Sequence, residues 1–284
     1  MKKQLVFYFY IFPEWTEINE RFLLHLKCLK SNIAIFNTYK FILSFDDLTN
    51  VSFIEFYKKY IVDYLELYNK NVEFVIVQND KKYREGIHCY NELVSKLNEY
   101  DGLVFWGHGK YDLDCDFDLI SYWVSFIYFI DLFSNDDIEN NLIYGDKCIF
   151  GALLNYYDGN KSHLLYDGSF YWLYPKKIIY KYKDNLEKYQ QFIDICSMYD
   201  QYEENYDNLY RCAEDWYRHI LSIPDYAYNS KVPLNICNII DDDYWHITPN
   251  YCPYYYKDSI YLHSYSKETF EQFEKYRENI INGL

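Results

Sequence analysis

Two side chains able to do chemistry, His108 and Lys110, flank Gly109 at the end of a short apolar run, Asp101-Gly-Leu-Val-Phe-Trp-Gly-His-Gly-Lys110. An imidazole and an ammonium delivered together on glycine-rich backbone suit an anionic group such as a diphosphate. The apolar run reads as a buried strand, and Gly107-His108-Gly109 as the loop that ends it. In open α/β sheets ligands bind outside the carboxyl ends of strands, which is where this reading puts the pair. The plainer alternative is a loop histidine satisfied by its neighbours and a solvated lysine.

Three other groups carry chemistry. Asn79-Asp80-Lys-Lys-Tyr-Arg84-Glu85 follows an apolar strand; Asp80 could hold a ribose or a base edge, and Arg84 could pair with phosphate. The alternative there is a helix cap with surface charges. Asp112, Asp114, Asp116 and Asp118 alternate along one segment and could hold Mg2+ or Mn2+ against a diphosphate. They lack the glycine and the distal glutamate of an EF-hand loop, and a solvated acidic loop explains them as well. In Arg211-Cys-Ala-Glu214-Asp215-Trp216 a carboxylate lies beside an aromatic ring. Partial burial raises a carboxylate pKa, which suits a general base; an exposed charge pair on a helix is the ordinary case.

The elements that would position these groups alternate regularly. Residues 3–11 read as a strand, 16–30 as a helix with Leu23, Leu24, Leu26 and Leu29 inward, and 41–45 as a strand ending in Asp46-Asp47, which makes Asp46 a further nucleoside-binding candidate. Residues 52–68 have helical spacing, 72–77 form a third strand, and a helix over 83–99 leads into the strand before His108. Strand–helix alternation of this kind predicts a mostly parallel sheet flanked by helices. Further on, an aromatic segment runs to about 133. Strands are expected near 148–154 and 169–174, a largely helical stretch over 183–221, an irregular one over 224–253 and an amphipathic helix over 266–282.

The bulk properties narrow the class. The 284 residues suit one large domain. The 37 tyrosines against 2 methionines favour surfaces that stack on rings, sugars included, although drift in an AT-rich genome is the simpler explanation, since the excess runs the whole length of the chain. A net charge of −15 argues against general nucleic-acid binding, which needs clustered Lys and Arg. No segment has the apolar length of a transmembrane helix. Met1 to Tyr10 lacks the small-residue cleavage site of a signal peptide and reads as a first strand. The 8 cysteines form no Cys-x-x-Cys pair, so reduced thiols and a cytoplasmic location are expected.

In order, these motifs are more specific than any one of them. Asn-Asp-x-x-x-Arg-Glu leads to a strand ending in His-x-Lys, then to an aromatic helix with Trp123, then to Tyr166-Asp-Gly-Ser-Phe-Tyr-Trp172, then to Arg-x-x-Glu-x-Trp. Over residues 70–220 this resembles bacterial and viral glycosyltransferase-like proteins of the GT-A class. The resemblance implies a Rossmann-type, mostly parallel sheet with a helical C-terminal part: a nucleotide-sugar half over 1–118, an acceptor half over 119–225, and an irregular stretch with a final helix over 226–284. It implies a nucleotide-sugar donor and a glycan or other hydroxyl acceptor. His108, Lys110 and Arg84 would hold the diphosphate, Asp46 and Asp80 the nucleoside. Gly168, Ser169, Tyr171, Trp172 and Trp216 would line the acceptor sugar, with Glu214 or Asp215 as the base. Asp112 and Asp114 would hold Mn2+ or Mg2+ in a metal-dependent version. Two departures stand out. Tyr111 replaces the glycine after the lysine and would crowd backbone that approaches phosphate, leaving a binding module without chemistry. Asp167-Gly168-Ser169 replaces Ser-Gly-Asn.

Asp-Gly-Leu-Val-Phe-Trp-Gly-His-Gly also resembles the histidine strand of caspase-like cysteine peptidases. That likeness implies a His108-activated Cys148 thiolate. Against it, Cys148 begins an apolar strand instead of ending one.

Overall fold

The structure is a computed structural model. It describes residues 1–79, 85–109, 111, 117–133, 135–151, 154–156, 164–166, 170–198, 216–222, 226–228 and 267–282. Its first half alternates strictly: β1 (Lys3–Ile11), α1 (Glu20–Asn32), β2 (Thr38–Phe45), α2 (Val51–Leu65), β3 (Asn71–Gln78), α3 (Glu85–Cys89) and β4 (Leu103–His108). Asn19 caps α1 by accepting from the Arg21 amide at 2.9 Å, and Asn50 caps α2 by accepting from Phe53 at 3.2 Å. Glu66 ends α2 in the left-handed conformation, at φ 57°. α3 runs on into a π-helical turn, Tyr90–Val94.

After β4 come α4 (Phe117–Phe133), α5 (Asn135–Glu139), β5 (Ile149–Gly151), β6 (Leu154–Tyr156), β7 (Leu164–Tyr166), β8 (Tyr171–Leu173), α6 (Pro175–Met198), α7 (Trp216–Ile220), β9 (Tyr226–Tyr228) and α8 (Lys267–Asn282). Seven strands form one sheet in the order β3-β2-β1-β4-β8-β5-β9, and β6 and β7 pair separately as an antiparallel couple. β3, β2, β1 and β4 are mutually parallel, and β9 is parallel to β5. β8 runs antiparallel to both its neighbours, β4 and β5.

Helices cover both faces. Leu5, Phe7, Phe9 and Ile11 of β1 pack with α1, α2, α4 and α8, while Val6 and Tyr8 pack with α3, α6 and α7. Burial on both faces is why β1, β2 and β4 are nearly continuous apolar runs and not alternating ones. The mostly parallel α/β sheet with helices on either side is the predicted fold class. Three local expectations change. β4 continues through Gly107 to His108, so no loop begins at Gly107. The stretch over 224–253, expected to be irregular, contributes β9. The helix expected over 83–99 is interrupted by its π turn and resumes as a 3-10 turn at Leu97–Glu99. Among the described residues no helix is long and apolar enough to cross a membrane.

Candidate functional site

The chain moves from β1 outward through β2 to β3, then returns to place β4 on the other side of β1. The strand order therefore reverses between β1 and β4. Ligands of open α/β sheets bind outside the carboxyl ends of the strands at such a reversal. His108 ends β4 there. It lies opposite Tyr8 in the β1–β4 ladder, and the Gly109 amide extends that ladder by donating to the Tyr8 carbonyl at 2.8 Å. Tyr8 in turn stacks on His88, with ring centroids 5.8 Å apart and planes 22° apart. The His108 ring itself lies against Phe170, with centroids 5.9 Å apart. Burial holds the Tyr8 phenol well above its ordinary pKa, so it stays protonated and neutral. His88 was missed in the sequence because it carries no motif; only the helix that follows β3 brings it over Tyr8.

Next to this set, the carboxyl ends of β1, β2 and β3 converge on Asp46. Its Oδ1 accepts from the Tyr10 hydroxyl at 3.0 Å and from Asn79 Nδ2 at 2.8 Å, and its Oδ2 accepts from Tyr10 at 3.1 Å. Its backbone carbonyl accepts from Gln78 Nε2 at 2.5 Å. Burial, and then the hydrogen bond to Asp46, push the Tyr10 phenol up to about 12. The carboxylate is solvent-exposed, so lone pairs remain for an incoming donor. An acid at the end of the second strand is where dinucleotide-binding folds take a ribose hydroxyl. Asp46 is thus an exposed, hydrogen-bonded carboxylate at the carboxyl end of β2.

The rings expected to line an acceptor sugar lie elsewhere. Tyr171, Trp172 and Trp216 are each 0% exposed. Tyr171 and Trp172 sit in β8 opposite Trp106 and Phe105. Trp172 Nε1 donates to the Asp131 carbonyl at 2.9 Å, and its ring stacks on Phe36 at 5.6 Å. Trp216 Nε1 donates to the Tyr171 hydroxyl at 3.0 Å. Their polar atoms are engaged inside the core and no ring face reaches solvent, so the stacking platform gives way to packing.

The glycines around His108 have packing reasons too. A Cβ at Gly107 would lie 2.7 Å from Phe7 Cε2 and 2.8 Å from Phe170 Cε1. One at Gly109 would lie 2.3 Å from Tyr111 Cζ. Tyr111, expected to crowd the ligand side, turns inward instead and is 8% exposed.

Cys148 cannot serve His108. Ile149 and Val104 both pair with Leu173, so Cys148 is level with Leu103, at the amino end of β4. His108 lies five residues along, roughly 16 Å at 3.3 Å per residue. The cysteine-peptidase arrangement is excluded by this register.

Lys110, Asp80, Arg84, Asp112, Asp114, Gly168, Ser169, Glu214 and Asp215 lie outside the described residues. Among the described residues, no cluster of three or more His, Cys, Asp or Glu side chains could hold a metal ion.

No protein-family model matches the chain, and no curated protein matches it in sequence. Among solved structures, 4-diphosphocytidyl-2C-methyl-D-erythritol synthase from Anaerococcus prevotii is similar at 12% identity and a TM-score of 0.31, over 74% of this chain and 83% of that one. A likeness this weak assigns neither fold nor activity.

Proposed function

We propose that the protein binds a nucleoside-diphosphate sugar at the carboxyl ends of β1 to β4 and transfers the sugar to a glycan or other hydroxyl acceptor. The observation that supports this reading most is the reversal of strand order between β1 and β4, with His108 on one side of it and the Tyr10–Asp46–Asn79 cluster on the other. Asp46, with Asp80, takes the nucleoside. His108, Lys110 and Arg84 take the diphosphate, and Gly168 and Ser169 line the acceptor.

Chemistry follows from these roles. Glu214 or Asp215 accepts the proton of the acceptor hydroxyl as its oxygen bonds to the anomeric carbon. The bond from that carbon to the diphosphate oxygen breaks, and the nucleoside diphosphate leaves with the electron pair. The cations around His108 stabilise the charge that develops there. Asp112 and Asp114 supply acidic ligands should Mn2+ or Mg2+ assist the leaving group.

A thermal-shift screen with UDP-, GDP- and TDP-sugars, with and without Mn2+, tests the reading. Stabilisation by at least one donor is expected, weakened in Lys110→Ala. No stabilisation by any donor would overturn it.

A further inference from the structure

Tyr111 links the two segments that leave the reversal point. Its ring meets Trp15 edge-on at 5.0 Å and 86°, Phe12 at 6.0 Å and 74°, and His25 of α1 at 5.7 Å and 85°. Phe12 and Trp15 belong to the turn that follows β1, closed by the Trp15 amide donating to the Phe12 carbonyl at 3.1 Å. His25 is itself fixed, its Nδ1 lying 3.0 Å from the Tyr128 hydroxyl. On its other side the Tyr111 ring lies against Gly109, its Cζ 2.3 Å and its hydroxyl oxygen 2.4 Å from where a Cβ would stand. Any side chain at 109 would occupy the volume of the ring.

We infer that Tyr111 is a positioning residue for the proposed donor site: its ring interlocks with Gly109 and sets the backbone next to His108 against the turn after β1. The inference rests on the nucleotide-sugar reading above. The interlock works by shape. Among the described residues the Tyr111 hydroxyl has no hydrogen-bond partner, and burial holds its phenol protonated. What matters is an aromatic ring at 111 and the absence of a Cβ at 109. Displacing a ligand-bearing backbone by even 1 Å is enough to cost about a hundredfold in a positioned reaction.

The test is a double-mutant cycle on full-length protein, read by nucleotide-sugar dissociation constant at a temperature where circular dichroism shows every variant folded. Tyr111→Phe is expected to bind like wild type. Tyr111→Ala and Gly109→Ala are each expected to weaken binding about tenfold or more. Gly109→Ala should cost much less in the Tyr111→Ala background, because the clash has gone. Wild-type affinity in folded Tyr111→Ala, or an equal Gly109→Ala penalty in both backgrounds, would overturn the inference. Absence of donor binding by the wild-type chain sinks the functional reading instead. The interlock is then read from the same cycle in urea midpoints, where additivity would refute it.

Discussion

Tyr8 and His108 face each other across the β1–β4 ladder, two residues from different strands whose carboxyl ends mark the reversal of strand order. The phenol keeps its proton and the imidazole is 2% exposed. The pair therefore separates two effects in an experiment. His108→Asn removes the imidazole, and should weaken nucleotide-sugar binding about tenfold, seen by calorimetry. Tyr8→Phe keeps the ring on His88 and should leave that affinity within about twofold. Equal losses in both variants would assign His108 to packing alone.

Trp172 distinguishes core from acceptor surface. Trp172→Phe loses the 2.9 Å bond to the Asp131 carbonyl and part of the stack on Phe36. It should destabilise the fold by about 1–3 kcal/mol in urea titrations while leaving the acceptor KM unchanged. A raised KM at unchanged stability would restore the ring to the acceptor site.

Alkaline pH should unfold the protein through its buried phenols. Tyr10 titrates at about 12 against an ordinary 10.0, and burial also raises Tyr8, Tyr57, Tyr90 and Tyr100. Each phenol binds its proton more tightly folded than unfolded. Its contribution is complete below pH 10 and fades as pH climbs through the folded value. Circular dichroism from pH 8 to 12 should show constant stability at the low end and loss above about pH 10. In Asp46→Asn the Tyr10 titration, followed by NMR of labelled tyrosine, should move back toward 10.0. An unmoved Tyr10 would mean burial alone sets it.

Cys148 should be chemically quiet. Buried at the amino end of the sheet, it should resist alkylation until the fold opens. Cys148→Ala should leave donor-induced stabilisation intact. Rapid labelling in the native state, followed by mass spectrometry, would reopen the peptidase question.

The parallel half of the sheet was legible because β1 to β4 are local, strongly apolar runs separated by capped helices. The position of Asp46 and His108 at strand ends followed directly from it. The antiparallel course of β8 was not legible. It depends on Tyr171 meeting Trp106, and no local signal carries the direction of a three-residue strand. That one pairing buries Tyr171 and Trp172 where an exposed platform was expected. Tyr111 failed for a similar reason: its side chain is directed by Trp15 and His25, far away in the chain. The glycines beside His108 were read as close-approach backbone, but they serve to admit the rings of Phe7, Phe170 and Tyr111.

The packing of α8 on α1 and α4 bears on how the protein is made. Phe273 meets Phe126 at 5.2 Å and Phe129 at 5.6 Å, and Lys27 Nζ donates to the Ile281 carbonyl at 3.2 Å. During vectorial synthesis the aromatic side of α4 leaves the ribosome long before its cover does. The nascent chain must carry that greasy surface bare while the residues between Phe133 and Lys267 are made. This makes the waiting interval, and not the finished fold, the stage at which chaperone capture or aggregation competes with assembly.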